Sequence, residues 1–140
     1  MSNFNTFNLD RRIFKAIAKK GYTHTTNVQN KCIPSSLDGQ DIICQAITGS
    51  GKTLSYILPL LPLLLQYKTQ DENNVTTGPL GLILVPSNEL VLQTKQVIKE
   101  MSIFLYQQIK CISLSGIKKD YKSLLQQIYL LQEGTADIII

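Results

Sequence analysis

Apolar positions along the chain fall into alternating helix-period and strand-period blocks. Ile13 and Ile17 share one face of a helix predicted over residues 11–20, capped by Asp10 and stopped by Gly21. A second short helix opens at Thr26. It is expected to end near Ile33, because the residue before Pro34 is pushed out of the α region. The run DIICQA over 41–46 has strand length and is partly β-branched. A glycine-containing turn follows, then an apolar helix expected to bend at Pro59 and Pro62. Residues 66–79 are polar, aperiodic and read as an exposed loop.

The second half repeats the alternation. A strand is expected over 80–85. After it comes a helix capped by Ser87 or Asn88, with Leu90, Val91, Thr94, Val97, Ile98 and Met101 at helical spacing. A third strand covers about 109–114. A further helix carries Tyr121, Leu124, Leu125, Ile128 and Leu131 and stops at Gly134, and 137–140 begins a fourth strand. Strands alternating with helices imply βαβ units: an α/β domain whose parallel sheet has helices on both faces.

Composition narrows the setting. The chain has 140 residues, 44% of them apolar, and a mean hydropathy of +0.03, which suits one domain and not a disordered arm. The longest apolar stretch, 54–65, contains two prolines and falls short of the roughly twenty residues a spanning helix needs, so no membrane association is expected. The N-terminus, MSNFNTFNLDRR, has no apolar secretion signal. Cys32, Cys44 and Cys111 form no C-x-x-C pair, which indicates neither a disulfide framework nor zinc and fits a reducing intracellular compartment. Net charge is +4, with Arg11, Arg12, Lys15, Lys19 and Lys20 clustered on the first helix. A solvated helix face and a site for an anionic partner both fit that cluster.

The strongest chemical signal is AITGSGKT, from Ala46 to Thr53. It sits between an apolar strand and a helix start, as a phosphate-binding loop requires. Gly49 and Gly51 allow the backbone N–H groups to approach an anion, and the helix N-terminus adds free donors and dipole. Lys52 is placed to reach the β- and γ-phosphates, and the Thr53 hydroxyl to ligate Mg²⁺. Loss of a hydrogen bond to a charged group, about 1.5–3 kcal/mol, predicts weaker nucleotide binding without Lys52. Position 46 is Ala where the general pattern has Gly, which points to a subfamily.

Upstream stand Phe4, the run GYTHTTNVQ from Gly21 to Gln29, Ile33-Pro34, Leu37, Gly39 and Asp41. This series, with the A-x-T-G-S-G-K-T loop, resembles the DEAD-box RNA helicases: their upstream aromatic, Q motif and motif I. The resemblance implies a RecA-like P-loop NTPase domain, three layers of α/β/α. Residues 1–140 would be the N-terminal portion of its first helicase domain, with 1–38 as the Q-motif region and 39–140 as an incomplete P-loop core. It implies ATP and Mg²⁺ as cofactors, held by Gln29, Thr48, Gly49, Ser50, Gly51, Lys52 and Thr53, with Lys52 and Thr53 serving hydrolysis. Gln29 would read adenine N6 and N7, since an amide offers a donor and an acceptor. Taken alone, Thr26-x-x-Gln29 is equally a capping box. Phe4 would lie near the adenine or pack as a surface aromatic, and Tyr22 would anchor the Q-motif turn.

RNA is the partner the resemblance implies. PSNELVLQ, beginning at Pro86, resembles a degenerate motif Ia, with Ser87 and Asn88 where the family has Thr and Arg. Pro86, Ser87 and Asn88 would hold an RNA phosphate, though Ser87 also fits a plain helix cap; Gly116 would be a further RNA contact. The wording of TGPLGLILVP, 77–86, is similar to a nucleolar subgroup acting in large-subunit ribosome assembly. That implies pre-ribosomal particles as partners and a nuclear, nucleolar or cytoplasmic location. None of the six aspartates closes an apolar strand as a Walker-B carboxylate does. The D-E-A-D and S-A-T segments and the second domain have no counterpart here, and by resemblance two strands belong between 41–46 and 80–85. A truncated domain, inactive by itself, is therefore expected. A non-catalytic nucleotide- or RNA-binding fragment and a small P-loop kinase stand as alternatives.

Overall fold

The computed structural model describes residues 2–70, 78–105, 109–114, 121–134 and 136–140. After a 3₁₀ turn at Phe4–Thr6 comes α1, Arg11–Lys19, buried through Ile13, Ala16 and Ile17. Asp10 caps it, accepting the Arg12 N–H at 2.8 Å and its guanidinium at 2.9 and 2.7 Å. Gly21, at φ +75°, closes it as the left-handed C′ residue expected there.

The helix α2, Asn27–Leu37, opens with the Thr26–Gln29 capping box. It does not end at Ile33; Pro34 lies inside it. Pro34 removes one donor only. The turn beyond is held by Asp38 N–H to Pro34 O at 3.0 Å and Gln40 N–H to Ser35 O at 3.0 Å, while Ile33 is fully buried. The helix α3, Lys52–Gln70, packs on α2 and continues through Pro59 and Pro62. Ile57, Leu58 and Leu61 are completely buried, so core packing outweighs the two missing donors. It also runs to Gln70, into the stretch expected to be a loop from residue 66. The cause is tertiary: Lys68 reaches the Asp137 carboxylate at 2.7 Å and ties down the last turn. Residues 71–77 of that expected loop lie outside the described residues.

Three short strands form a parallel sheet in the order β1 (Gly81–Leu82), β3 (Ile138–Ile139), β2 (Cys111–Ile112). Gly81 and Cys111 both pair with Ile138. Main-chain bonds extend the ladder from Leu80 N–H to Asp137 O (2.9 Å) through Ile83 N–H to Ile139 O (2.8 Å), and from Leu114 N–H to Ile140 O (2.8 Å). The expected strand over 41–46 forms no ladder. No described strand lies beside it, Ile43 is fully exposed, and a strand exists only through pairing. Nor are both faces covered along β1. Gly81, Ile83 and Val85 face the helices, while Leu82 and Leu84 are exposed.

The helix α4, Asn88–Met101, is capped by Ser87 and buries Val91, Thr94, Ile98 and Met101. It packs against α1 and α3, and Lys20 bridges to Glu100 at 2.9 Å. That contact holds the Glu100 carboxyl below its usual value and raises Lys20. The helix α5, Tyr121–Gln132, ends before Gly134, φ +62°, as the periodicity predicts. Its Leu125, Ile128 and Tyr129 are exposed.

Candidate functional site

The loop between 46 and 52 has the backbone its glycines permit. Gly49 stands at φ +80° and Gly51 at φ +91°, both in the region that side chains disfavour. The Lys52 ammonium folds back and donates to the carbonyls of Ala46 (2.6 Å) and Ile47 (2.7 Å). Ser50 N–H donates to Ile47 O at 3.3 Å. Two side chains converge on Gly51 O: Gln29 Nε2 and Ser55 Oγ, each at 3.2 Å. A Cβ on Gly51 would overlap the Gln29 amide and stand 3.2 Å from Thr26 Oγ1. Glycine is thus required here for space as well as for φ.

Gln29 is 3% exposed and serves the cap and the loop together. Its Oε1 accepts Thr26 N–H at 3.0 Å, and Thr26 Oγ1 accepts Gln29 N–H at 3.3 Å. An amide has two protons and two acceptor sites, so one donor and one acceptor remain. The two readings of this residue are compatible: the capping box holds the amide in place and leaves half of it free. Nearby, the Thr25 hydroxyl lies 2.9 Å from Ser2 O and 2.6 Å from Asn30 Oδ1, fastening the N-terminal segment to the Q-motif turn.

Ser50 Oγ is buried without a hydrogen-bond partner. A buried orphan hydroxyl carries a desolvation cost unless a ligand supplies its partner. Together with Gly49, Gly51 and the Lys52 cation, it fits a group rich in acceptor oxygens, such as a polyphosphate. Lys52 and Thr53 line one open groove of about 540 Å³ with Asp41, Val85, Leu90 and Thr94. The structure therefore brings Lys52, Thr53 and the first turns of α4 to the same groove. Thr48 is exposed at the loop's start.

Phe4 and Tyr22 line a different groove. Phe4 is 2% exposed and meets Phe7 edge-on, with ring centroids 6.2 Å apart. It is a core residue here, not a surface aromatic, and presents little of its ring to a ligand. Tyr22 is partly exposed and follows Gly21 at the turn, its N–H donating to Ile17 O at 3.2 Å.

At the start of α4, Ser87 Oγ accepts Leu90 N–H at 3.3 Å, the helix cap read from the sequence. The hydroxyl proton stays available as a donor. Pro86 and Ser87 are exposed and Asn88 half-buried. Glu89 stands in the first turn, which favours the helix dipole but repels a phosphate. Gly116 lies outside the described residues. Sequence reasoning missed Ser55, whose only signal is its position four residues after Gly51, where a hydroxyl can bond back to the helix.

Comparison with known proteins places these features together in one group. The family model for DEAD/DEAH box helicases matches residues 26–140. The chain is 43% identical over 116 residues to the ATP-dependent RNA helicase DBP9 of Kluyveromyces lactis, covering 82% of this chain and 19% of that protein. It is 41% identical over 117 residues to dbp9 of Schizosaccharomyces pombe, covering 84% of this chain and 19% of that one. The chain thus spans about a fifth of the length of the curated relatives it matches. Among solved structures, a DEAD box protein from Methanococcus jannaschii superposes with a TM-score of 0.77 at 32% identity over 100% of this chain and 34% of that one. The RNA-helicase Prp28 of Chaetomium thermophilum, bound to ADP, gives 0.76 at 32% identity over 99% of this chain and 32% of that one. The α/β fold with its parallel sheet is that of a RecA-like domain, and the chain belongs to the DEAD/DEAH box helicase family.

Proposed function

We propose that these residues are the nucleotide-recognition part of an ATP-dependent RNA helicase. The observation that carries this reading is the Gln29–Gly51 hydrogen bond, which makes the base reader and the phosphate loop one unit. Its free donor and acceptor suit adenine N7 and N6 and mismatch guanine, which offers O6 and N7 as two acceptors. Lys52 leaves the carbonyls of Ala46 and Ile47 for phosphate oxygens, exchanging neutral acceptors for charged ones, which form the stronger bonds. Ser50 Oγ, Thr48 and the loop N–H groups take further oxygens. Mg²⁺, held by the Thr53 hydroxyl, would neutralise charge on the β- and γ-phosphates. Phe4 supports this region from within the core, and Tyr22 anchors its turn.

Pro86, Ser87 and Asn88 at the start of α4, with Gly116, form the RNA-facing part, holding the backbone rather than reading bases. In the whole protein, ATP and RNA would close two RecA-like domains together, and hydrolysis would reset them. The wording of TGPLGLILVP, 77–86, with its likeness to a nucleolar subgroup, favours pre-ribosomal particles in the nucleolus as the setting. No helix among the described residues is long and apolar enough to cross a membrane.

A second reading applies to the 140 residues by themselves: nucleotide binding without turnover. Asp41 is the one acidic residue lining the Lys52–Thr53 groove among the described residues, and it precedes the loop instead of closing a neighbouring strand. The test is equilibrium binding of ATP and GTP together with RNA-stimulated ATPase. ATP binding that Lys52→Ala weakens about tenfold, with no turnover from this chain, is expected. Turnover that Lys52→Ala abolishes would overturn the second reading. Equal binding of ATP by native and Lys52→Ala chains would overturn the first.

A further inference from the structure

We propose that Thr25 is a positioning residue for the adenine reader: it clamps the N-terminal segment to the entry of α2 and so fixes which way the Gln29 amide faces. Thr25 is 5% exposed and does not line the Lys52–Thr53 groove, so it acts through its neighbours. Its N–H donates to Ser2 O at 3.0 Å. Its single hydroxyl proton is shared between the same Ser2 O at 2.9 Å and Asn30 Oδ1 at 2.6 Å. One buried residue thus joins the N-terminal segment, the turn before α2 and the first turn of α2. Both ends of the clamp are anchored. Phe4, two residues after Ser2, is buried in the core, and Asn3 O accepts the Thr6 N–H at 3.2 Å and its hydroxyl at 2.9 Å. At the other end, the Asn30 N–H donates to Thr26 O at 3.0 Å.

The link to Gln29 runs through one peptide plane. The Thr26 N–H lies in the plane that begins at Thr25, so holding Thr25 holds the direction of that N–H. The Thr26 N–H donates to Gln29 Oε1, and Gln29 Nε2 donates to Gly51 O. Turning the amide over would set Nε2 against the Thr26 N–H and Oε1 against the Gly51 carbonyl, two repulsive pairings. The remaining donor and acceptor of the amide therefore keep fixed places. Without the clamp the plane can rotate, Oε1 loses its donor, and that orientation is no longer imposed. The bonds of Lys52 to the Ala46 and Ile47 carbonyls involve neither Thr25 nor Thr26. Loss of the clamp is thus felt at the base and not at the phosphates.

The effect on binding rests on the nucleotide reading above, whereas the clamp itself does not. Fluorescent ATP and GTP affinities and amide exchange at Thr26 are measured on the full chain and on three variants. Thr25→Val keeps the shape and the N–H but loses the hydroxyl. It should lower ATP affinity about fivefold, by shrinking the population of correctly turned amide, and leave GTP affinity unchanged. Thr25→Ser keeps the hydroxyl and should restore ATP affinity. Asn30→Ala, at a half-buried position, removes one acceptor and should shift ATP affinity the same way but less. It carries the test if Thr25→Val does not fold. ATP and GTP affinities that fall together would reduce Thr25 to a stabilising contact and overturn the proposal. So would an ATP affinity that the loss of the hydroxyl leaves unmoved. A native chain that binds ATP and GTP equally contradicts the adenine reading instead. Thr26 exchange then decides the clamp alone: quicker exchange in Thr25→Val upholds it, and unchanged exchange overturns it.

Discussion

The Gln29 side-chain nitrogen donates to the Gly51 carbonyl across 3.2 Å, while its oxygen accepts the Thr26 N–H at 3.0 Å. One buried amide thus links the start of α2 to the phosphate loop, 22 positions further along the chain. A change at either end of this contact should be felt at the other.

Gly51 is the sharper probe. Gly49→Ala, at φ +80° with open space where its Cβ would stand, should cost only the left-handed penalty of about 1–2 kcal/mol. Gly51→Ala, at φ +91°, adds overlap with the Gln29 amide and should cost more and displace Gln29. Urea unfolding of the two variants measures the difference. Equal losses would show that the contact does not constrain the loop.

Asp137 holds two elements at once, accepting Lys68 Nζ at 2.7 Å and the Lys110 N–H at 2.7 Å. Asp137→Ala leaves both donors unpaired and should destabilise by about 2–3 kcal/mol, the scale of a charged hydrogen bond. Asp137→Asn keeps an acceptor and should lose less. Amide exchange in 66–70 should quicken in the alanine variant, because Lys68 then no longer anchors the end of α3.

The α1 cap gives a pH signature. The Arg12 guanidinium holds the Asp10 carboxyl below its ordinary value of 3.8, against an opposing effect of burial. A depressed carboxylate stabilises fully above the unfolded value, and that contribution is lost as pH falls through the folded one. Asp10→Ala should therefore cost about 1 kcal/mol at neutral pH. The gap to the native chain should close below pH 3.8, as read by thermal unfolding across pH. A gap that widens on acidification would contradict the assignment.

Local signals carried far in this chain. Asp10, Gly21, Thr26, Ser87 and Gly134 are legible because caps and stops act within one turn. The turn before α3 is legible because Gly49 and Gly51 take the positive φ that only glycine adopts readily. What failed needs neighbours. Pro34 stays helical because Ile33 is anchored in the core, and α3 reaches Gln70 because Lys68 is held by Asp137, 69 positions further on. The run at 41–46 has a strand's composition, yet no described strand pairs with it. By sequence Phe4 suits a base contact or a surface aromatic, whereas it is buried in the core. The Ser55 bond to Gly51 follows from packing that no periodicity encodes.

On the proposed function, Gln29, held against Gly51, selects adenine. Competition binding of ATP against GTP, on the native chain and on Gln29→Ala, decides this. The ratio of the two affinities is the readout, since Gln29→Ala also loosens the cap and the loop. A native preference for ATP of about tenfold, or about 1.4 kcal/mol, that falls to near unity in Gln29→Ala is the predicted result. Equal affinities in the native chain, or a preference that survives Gln29→Ala, would contradict it.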